Sequence, residues 1–384
     1  MGIASWISPS TAQKRLDHLL LSMHASDRLT ATRWLGGIAP AEHVPSSNVE
    51  AQALPFQRWY RFKEAFSPRF VSTAVGSLDQ IPRVCADPFG GSGTTALTCQ
   101  FLGVQPVTIE VNPFLADLIE AKLSEYELSA LLRDYATVLK EVRVASIDLH
   151  KSLRSAPPTF VEPGVEGRWI FNRRIARRLL SYRQAIESLR NTTHQRLFRV
   201  LLGSIAVKLS NVVISGKGRR YRSSWQERQD LPASVDRAFQ ETAERAIQDI
   251  SRFGRRAERS YTLLRGDARE LVRNCPPAEF ALFSPPYASL LLDYTSIEVF
   301  RGRTFCKQTA KLSLAFLDGT PQIFNFFVAR QLSEAELAQL GAKRSQLYAL
   351  FFPTFDKLLV LFLDFLDVPD SGVHRISQLI YLCF

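Results

Sequence analysis

The stretch that most constrains the fold is residues 83–95, which read RVCADPFGGSGTT. Apolar residues lead to Asp87, a turn with three glycines follows, and the next residues, ALTCQFLG, have helical character. Glycine tolerates positive φ and has no Cβ, so such a turn lets the backbone pass close under a bound small molecule. A second apolar strand, residues 107–111, contains Glu110, twenty positions after Gly90, where an acidic side chain can bind a ribose hydroxyl pair. The pattern predicts a strand–helix–strand unit of an α/β fold with a nucleotide-type cofactor site.

The glycine turn on its own equally fits an ordinary tight turn. It lacks the Lys-Ser/Thr pair of a phosphate-binding P-loop and does not spell GxGxxG, so a cofactor with a ribose and no pyrophosphate fits better. The deciding signal is FALFSPPY, residues 280–287, in which an apolar strand leads directly into Ser284, Pro285, Pro286 and Tyr287. A Pro-Pro-Tyr turn also occurs in ordinary loops and in ligands of WW modules. Directly after a strand, however, it is typical of a reactive loop at the carboxyl edge of an open α/β sheet.

With these segments together, the sequence resembles the S-adenosylmethionine-dependent amino methyltransferases that modify exocyclic nitrogens of DNA bases. DPFGGSGTT is similar to their cofactor loop, IEVNPF to their ribose-binding strand end and FSPPY to their catalytic loop. Residues 56–71 are similar to the segment before the cofactor loop that helps to line the methionine pocket, although their aromatic side chains equally fit a hydrophobic core. The resemblance covers residues 54–120 and 261–298. It implies a Rossmann-like, doubly wound methyltransferase sheet.

The resemblance also implies the cofactor and the residues that bind it. The cofactor is S-adenosylmethionine. The implied cofactor-binding residues are Phe66, Asp87, Pro88, Phe89, Gly90, Gly91, Ser92, Gly93, Thr94, Glu110, Asn112 and Asp267. The implied catalytic residues are Ser284, Pro285, Pro286 and Tyr287.

The chemistry of methyl transfer explains these residue types. The transfer is an in-line displacement, so its rate depends mainly on positioning the nitrogen against the methyl group. Ser284 Oγ and the Pro285 carbonyl can accept the two hydrogens of an exocyclic amine, and the consecutive prolines fix φ and hold that carbonyl outward. Tyr287 can stack on a base that has been flipped out of the duplex. By family usage, Ser at the first position leans towards N4 of cytosine, with N6 of adenine as the alternative, and no metal is required.

The net charge of +11 is concentrated in one part of the chain. Residues 168–265 contain 22 Lys and Arg against 8 Asp and Glu, a net charge of +14, so the remainder is slightly acidic. Within this part, SGKGRRYRSSW reads as a Gly/Ser loop in which cations alternate with aromatic rings. Phosphates attract cations and aromatic faces stack on unpaired bases, so this loop is the predicted contact with double-stranded DNA, although a solvated basic face has the same composition. Its predicted contact residues are Lys217, Arg219, Arg220, Tyr221 and Arg222.

Four segments are expected along the chain. Residues 1–53 form a helical segment and linker, with a packing helix over residues 12–23. Residues 54–125 and 261–384 are the two halves of the methyltransferase domain, and residues 126–260 are a largely helical, basic insertion that is expected to serve target recognition. Beyond residue 298 the resemblance fades, and residues 322–328 and 358–368 are the candidate strands. A catalytically inactive, DNA-binding remnant is therefore kept as an alternative, and an RNA base methyltransferase of the same sheet architecture is another.

The composition indicates a cytoplasmic protein. The five cysteines are scattered and include no CxxC pair, so they are expected to be reduced thiols, and no metal site is predicted. The N-terminus lacks the pattern of a secretory signal, and residues 358–366 are shorter than the roughly 20 apolar residues that span a bilayer. The expected partners are double-stranded DNA and, in a restriction-modification system, a cognate restriction endonuclease.

Overall fold

The computed structural model describes residues 9–37, 50–62, 65, 67–215, 218–228, 231–283, 326–331 and 377–382. Its helices are α1 (Pro9–Ser22), α2 (Ala25–Gly36), α3 (Pro68–Gly76), α4 (Thr94–Phe101), α5 (Pro113–Leu123), α6 (Leu128–Val144), α7 (Leu149–Ser152), α8 (Arg173–Glu187), α9 (Thr192–Leu209), α10 (Pro232–Phe253) and α11 (Ala268–Leu271). Its strands are β1 (Val84–Asp87), β2 (Gln105–Glu110), β3 (Val212–Ser215), β4 (Gly218–Tyr221), β5 (Thr262–Arg265), β6 (Phe280–Phe283), β7 (Phe326–Gln331) and β8 (Ser377–Leu382). Short 3₁₀ helices lie at Glu50–Ala53, Gln57–Trp59, Trp225–Glu227 and Val272–Asn274.

The central sheet has the strand order β5-β2-β1-β6-β7-β8. Strands β5, β2, β1 and β6 are parallel, whereas β7 is antiparallel to β6 and β8 is antiparallel to β7. Parallel strands are normally covered on both faces, and the continuous apolar run FALF of β6 is fully buried. The architecture is a mixed α/β fold with a parallel central sheet and many helices, which is consistent with a Rossmann-like fold.

Alternate residues of β6 contact different layers. Phe280 and Leu282 lie in a core with residues of α3 and α4. Ala281 and Phe283 lie in a second core with Val272. This alternation follows from the two-residue period of a strand, and it places apolar side chains on both faces of the sheet.

The helical region, residues 126–260, packs against the same core as the first strand–helix–strand unit. The side chains of α8, α9 and α10 share one apolar cluster with those of α4 and α5. The predicted apolar stripe of α8 is confirmed, since Ile175, Tyr182 and Ile186 are buried and Leu179 packs against the same cluster. The division of the chain into four segments stays a prediction.

The N-terminal helix is also confirmed, as α1 packs on α3 with Leu16 buried. A Cβ added at Gly76 of α3 would lie 2.7 Å from Leu16 Cγ, so the two helices are in close contact. Arg15 donates to the carbonyl oxygens of Ser77 and Leu78, which directly follow α3. The expectation that this helix packs on the domain is met.

Several boundaries differ from those predicted. Strand β5 ends at Arg265 and not at Asp267, because Gly266, at φ 148°, turns the chain out of the sheet. The predicted Gly/Ser loop is part of a hairpin in which β3 pairs with β4, since the β-branched run of β3 favours a strand over continuation of the preceding apolar helix. Strand β7 begins four residues later than residue 322, and residues 322–325 and 358–368 lie outside the described residues. Strand β8 was not predicted, because its apolar residues stand at the end of a segment without a recognised pattern.

Candidate active site

The ends of parallel strands bring the starting points of both predicted loops to one edge of the sheet. Cys85 of β1 pairs with Phe280 of β6, so the turn after β1 and the loop after β6 leave adjacent strands in the same direction. The rings of Phe89 and Phe283 lie 5.8 Å apart between centroids. Residues 284–287, the predicted catalytic loop, lie outside the described residues, and Phe283 immediately precedes them. The structure therefore brings together the starting points of both loops.

The turn between β1 and α4, residues 88–93, is held tightly against its neighbours. The Gly90 N–H donates to the Ile109 carbonyl at 2.9 Å, and the Gly93 N–H donates to the Gly90 carbonyl at 2.7 Å. A Cβ at Gly90 would lie 2.4 Å from Thr108 Oγ1. Gly91 and Gly93 have φ values of 52° and 77°, in the left-handed region that favours glycine. These glycines are required by the turn's own packing, whatever ligand it binds.

Glu110 joins the glycine turn to the start of α5. Its Oε2 accepts from the Gly91 N–H and its Oε1 from the Asn112 N–H, both at 2.7 Å, and the residue is 8% exposed. Burial raises the pKa of the carboxyl group, and the two backbone donors act in the opposite direction. Each carboxylate oxygen has a further lone pair, so the oriented group can still accept hydrogen bonds from a ribose hydroxyl pair.

Other predicted cofactor residues have structural duties in the same place. Asn112 caps α5, because its Oδ1 accepts from the N–H groups of Phe114 and Leu115. Asp87 is buried and accepts from the Phe89 N–H at 3.0 Å, and burial raises the pKa of its carboxyl group to about 7. Pro88 lies between Asp87 and Phe89 in the turn.

The remaining predicted residues lie on either side. Ser92 and Thr94 are buried at the start of α4, with their hydroxyl oxygens 3.3 Å apart. Asp267 follows β5, and the Gly266 N–H beside it donates to the Glu110 carbonyl at 3.0 Å. Phe66 lies outside the described residues. The ring that approaches the turn is Phe62, whose Cε1 would lie 3.2 Å from a Cβ at Gly91.

The hairpin formed by β3 and β4, named the basic hairpin below, lies beside aromatic rings that are in mutual contact. Arg220 is exposed, and the Tyr221 ring lies 4.9 Å from that of Trp225. Trp169 lies edge-on to Trp225, also at 4.9 Å. The Arg222 guanidinium donates to the carbonyl oxygens at the end of α9, so its charge also supports that helix terminus. Lys217 and the Arg219 side chain lie outside the described residues.

The hairpin follows a helix that runs towards the edge of the sheet with the glycine turn. Helices α9 and α5 are antiparallel, as three contacts along them show: Arg196 with Glu120, Arg199 with Asp117, and Gly203 with Phe114. Because α5 begins just after β2 ends, the end of α9 lies near the same edge. The hairpin continues from there.

Comparison with known proteins finds partial relatives. The chain is 28% identical over 88 residues to the Type II methyltransferase M.MjaII of Methanocaldococcus jannaschii, 35% over 83 residues to M.BsoBI of Geobacillus stearothermophilus and 36% over 70 residues to M.AvaI of Nostoc sp.. These matches cover 23%, 21% and 18% of this chain and 17%, 16% and 14% of the relatives. Part of the chain is similar to Type II methyltransferases. No family model and no solved structure matches.

The chain spans under a fifth of the length of each of these relatives. Within the part of the chain that the structure describes, no group of His, Cys, Asp and Glu is arranged to hold a metal ion. Within the same residues, no helix combines the length and the apolar character needed to cross a bilayer. Among the described residues, Cys85, Cys99 and Cys275 are free cysteines.

Sequence reasoning missed a buried lysine beneath the glycine turn. Lys122 is 1% exposed, and its Nζ donates to the Ser92 carbonyl at 2.7 Å and to Gln57 Oε1 at 3.2 Å. Both of these partners are neutral, and burial lowers the pKa of the amine to about 7. The signal was available, since Lys122 lies three and seven positions beyond Ile119 and Leu115 on the apolar face of α5.

The titration of Lys122 predicts a rise of stability with pH. Its pKa is about 7 in the native state and near 10.5 in the unfolded chain, so between these values the unfolded state binds more protons. The free energy of unfolding should therefore carry a contribution that increases by up to about 1.4 kcal/mol per pH unit in this window. Urea unfolding of the wild type and of Lys122→Met at pH 6.5, 8 and 9.5 measures it. The free energy of unfolding of the wild type minus that of Lys122→Met should increase with pH. A difference that does not change with pH would contradict the lowered pKa of Lys122.

Proposed function

We propose that the chain is a DNA methyltransferase that moves a methyl group from S-adenosylmethionine to an exocyclic base amine, N4 of cytosine, with N6 of adenine as the alternative. The observation that carries the proposal is the parallel pairing of β1 with β6. It places the start of the glycine turn and Phe283, which immediately precedes the predicted catalytic loop, at the same edge of the sheet. Open α/β sheets bind their ligands at this edge.

The residues at this edge fit the cofactor. The Glu110 carboxylate is oriented by two backbone N–H groups and suits a ribose hydroxyl pair. Phe62 beside Gly91 offers an apolar surface, and the turn presents backbone where a small molecule can approach. When bound, the cofactor supplies an electrophilic methyl group on a sulfonium. Asp267 and Phe66 are the further residues proposed for the pocket.

The chain's own residues would hold the target base. Ser284 Oγ and the Pro285 carbonyl would accept the amine hydrogens, which favours a nitrogen with an available lone pair. Tyr287 would stack on the extruded base and offset part of the few kcal/mol that flipping costs, since such stacking contributes about 1 to 3 kcal/mol. The proton leaves the nitrogen readily after transfer, so the site requires no general base with a matched pKa.

The basic hairpin supports a nucleic-acid substrate. It continues from the end of α9, near the edge that carries the glycine turn, and it combines the exposed Arg220 with the rings of Tyr221 and Trp225. Cations that contact phosphates position a duplex without reading its sequence. The names of the Type II methyltransferase relatives support DNA as the substrate and a restriction-modification role. A cognate endonuclease as a partner is a further part of the proposal. A cytoplasmic location is part of the same proposal.

Strands β7 and β8 are relevant to the alternative hypothesis of a catalytically inactive, DNA-binding remnant. That alternative was motivated by an unrecognised carboxyl end, whereas β7 and β8 continue the sheet beyond β6. A chain that bound DNA without the cofactor would nevertheless favour it, and label in RNA would favour an RNA base methyltransferase.

The direct test is transfer of tritiated methyl groups from S-adenosylmethionine to duplex DNA. We expect label in DNA with the wild type and a decrease of about tenfold or more with Ser284→Ala, because one acceptor for the amine is lost. Calorimetry should show that Ser284→Ala still binds the cofactor. Mass spectrometry of the digested DNA then distinguishes N4-methylcytosine from N6-methyladenine. Equal labelling by the wild type and Ser284→Ala would contradict the assigned catalytic loop.

A further inference from the structure

A buried carboxylate in the helical region holds the segment that precedes the glycine turn. Asp249 of α10 is 1% exposed. Its Oδ2 accepts from the Phe56 N–H at 3.0 Å, from Arg58 Nε at 3.1 Å and from Trp59 Nε1 at 2.9 Å. Its Oδ1 accepts from Arg58 Nη2. One side chain thus binds three residues of a single turn that lies about 190 positions earlier in the sequence.

The turn that Asp249 holds has few internal hydrogen bonds to fix its position. It consists of one 3₁₀ turn, Gln57–Trp59, and 3₁₀ turns are short and weakly bonded. Phe56, which precedes the turn, has a φ of 65°, which is unfavourable for a bulky residue. The Phe56 N–H that donates to Asp249 belongs to this strained residue. The conformation of the turn therefore depends on its contacts with α10.

The same segment supports the glycine turn through the side chains of Gln57 and Phe62. Gln57 Oε1 accepts from Lys122 Nζ at 3.2 Å, and Thr94 Oγ1 lies 3.4 Å from it. Lys122 in turn binds the Ser92 carbonyl. Five residues after Gln57, Phe62 lies against Gly91. A shift of residues 56–59 would move both supports of the glycine turn.

A second contact places the same part of the helical region against the segment. The Arg256 guanidinium lies 4.3 Å from the ring centroids of both Phe56 and Phe101. Burial lowers the pKa of Arg256 to about 9, and the two aromatic faces attract its charge. Phe101 ends α4, the helix that begins at the glycine turn. Arg256, three residues after the end of α10, thus lies between the preceding segment and the helix that follows the turn.

We infer that Asp249 is a positioning residue for the cofactor pocket. It fixes residues 56–59 so that Gln57 and Phe62 hold the glycine turn in the conformation that binds S-adenosylmethionine. The helical region is then a support of the cofactor site and not only a nucleic-acid contact. This inference rests on the proposed function, because it assigns the pocket to that cofactor.

A matched pair of variants on one helix tests the inference. Asp249→Asn replaces one carboxylate oxygen by an amide nitrogen that cannot accept from the donors of residues 56–59. Asp236→Asn removes another α10 carboxylate that pairs with an arginine, Arg178, at 2.7 Å. Asp236 lies 13 residues before Asp249 on the same helix, about 20 Å away along its axis. Both are compared with the wild type at a temperature at which circular dichroism shows all three folded.

The expected result is a selective loss of cofactor affinity. Asp249→Asn should raise the calorimetric Kd for S-adenosylmethionine, and its KM, by about tenfold, while kcat at saturating cofactor stays within about twofold. Asp236→Asn should leave Kd and KM unchanged even if it lowers Tm. Should Asp249→Asn not fold, Arg58→Lys takes its place, because it removes the paired donors and keeps the charge.

Three outcomes would overturn the inference. The first is wild-type cofactor affinity in the Asp249 variant, or in the Arg58 variant where that one is used. The second is an equal loss of affinity in the Asp236 control. The third is a fall in kcat with KM unchanged. A wild-type chain that binds no cofactor would overturn the proposed function together with the inference, so the two failures are distinguishable.

Discussion

A Glu110→Gln variant is expected to bind S-adenosylmethionine about 100-fold more weakly than the wild type. The carboxylate accepts from the Gly91 and Asn112 N–H groups with one oxygen each. Glutamine has only one oxygen, so its amide nitrogen must face one of these donors and leaves that donor without an acceptor. In the proposed complex, the variant would also replace charge-assisted bonds to the ribose hydroxyls by weaker neutral ones. Hydrogen bonds to a charged group contribute roughly 1.5 to 3 kcal/mol each, which accounts for the size of the effect.

Calorimetric titration with the cofactor measures this loss, and Glu120→Gln is the control. Glu120 lies on α5, half-buried, and pairs with Arg196 and Arg265 at some distance along the helix from the glycine turn. Its replacement should lower stability slightly and leave the Kd for the cofactor within about twofold. A Glu110→Gln variant with the wild-type Kd would mean that the carboxylate only fastens the glycine turn. Comparable losses in both variants would point to a general effect on folding.

The local features of the site could be predicted because adjacent residues determine them. The apolar residues before Asp87 and Ser284 predict strands, and glycines directly after a strand predict the turn at its end. Parallel pairing then places both strand ends at one edge, which the alternation of strands and helices already favoured. These signals need only a few consecutive side chains.

The supports of the site could not be predicted, because they join distant parts of the chain. Nothing near Asp249 indicates that it binds a turn about 190 residues away, and an aspartate on a helix usually lies in solvent. The cap formed by Asn112 shows another limit, since the same position fits a helix start and a cofactor contact. Arg222 was predicted to contact nucleic acid from its charge, yet its donors also reach the end of α9. Composition identifies the basic segment without saying which of its charges have partners in the fold.

Replacing Gly93 by alanine is expected to lower the free energy of unfolding by about 3 kcal/mol, as backbone strain and overpacking add. Gly93 precedes α4 with a φ of 77°, where a Cβ costs about 1 to 2 kcal/mol. The same Cβ would lie 2.9 Å from Ile119 Cγ1 and 3.4 Å from Ile119 Cβ, so α5 would have to move. Overpacking of this kind adds about 1 to 3 kcal/mol. Urea unfolding at one pH gives the total effect.

Two other glycines separate the causes. Gly103 has a similar φ of 74°, but a Cβ there would meet its nearest neighbour at an ordinary 3.6 Å, so Gly103→Ala should show the strain alone, about 1 kcal/mol. Gly90 lacks a positive φ, yet a Cβ there would lie 2.4 Å from Thr108 Oγ1. Gly90→Ala should therefore show the effect of steric overlap alone. A simultaneous Thr108→Ala change should recover part of the lost free energy of unfolding. Equal effects at Gly93 and Gly103 would contradict the role given to Ile119.

The expected order of these destabilisations arises because the glycine turn is fixed by β2 and α5. A turn fixed in this way presents Glu110 and its own backbone to a ligand without first having to rearrange.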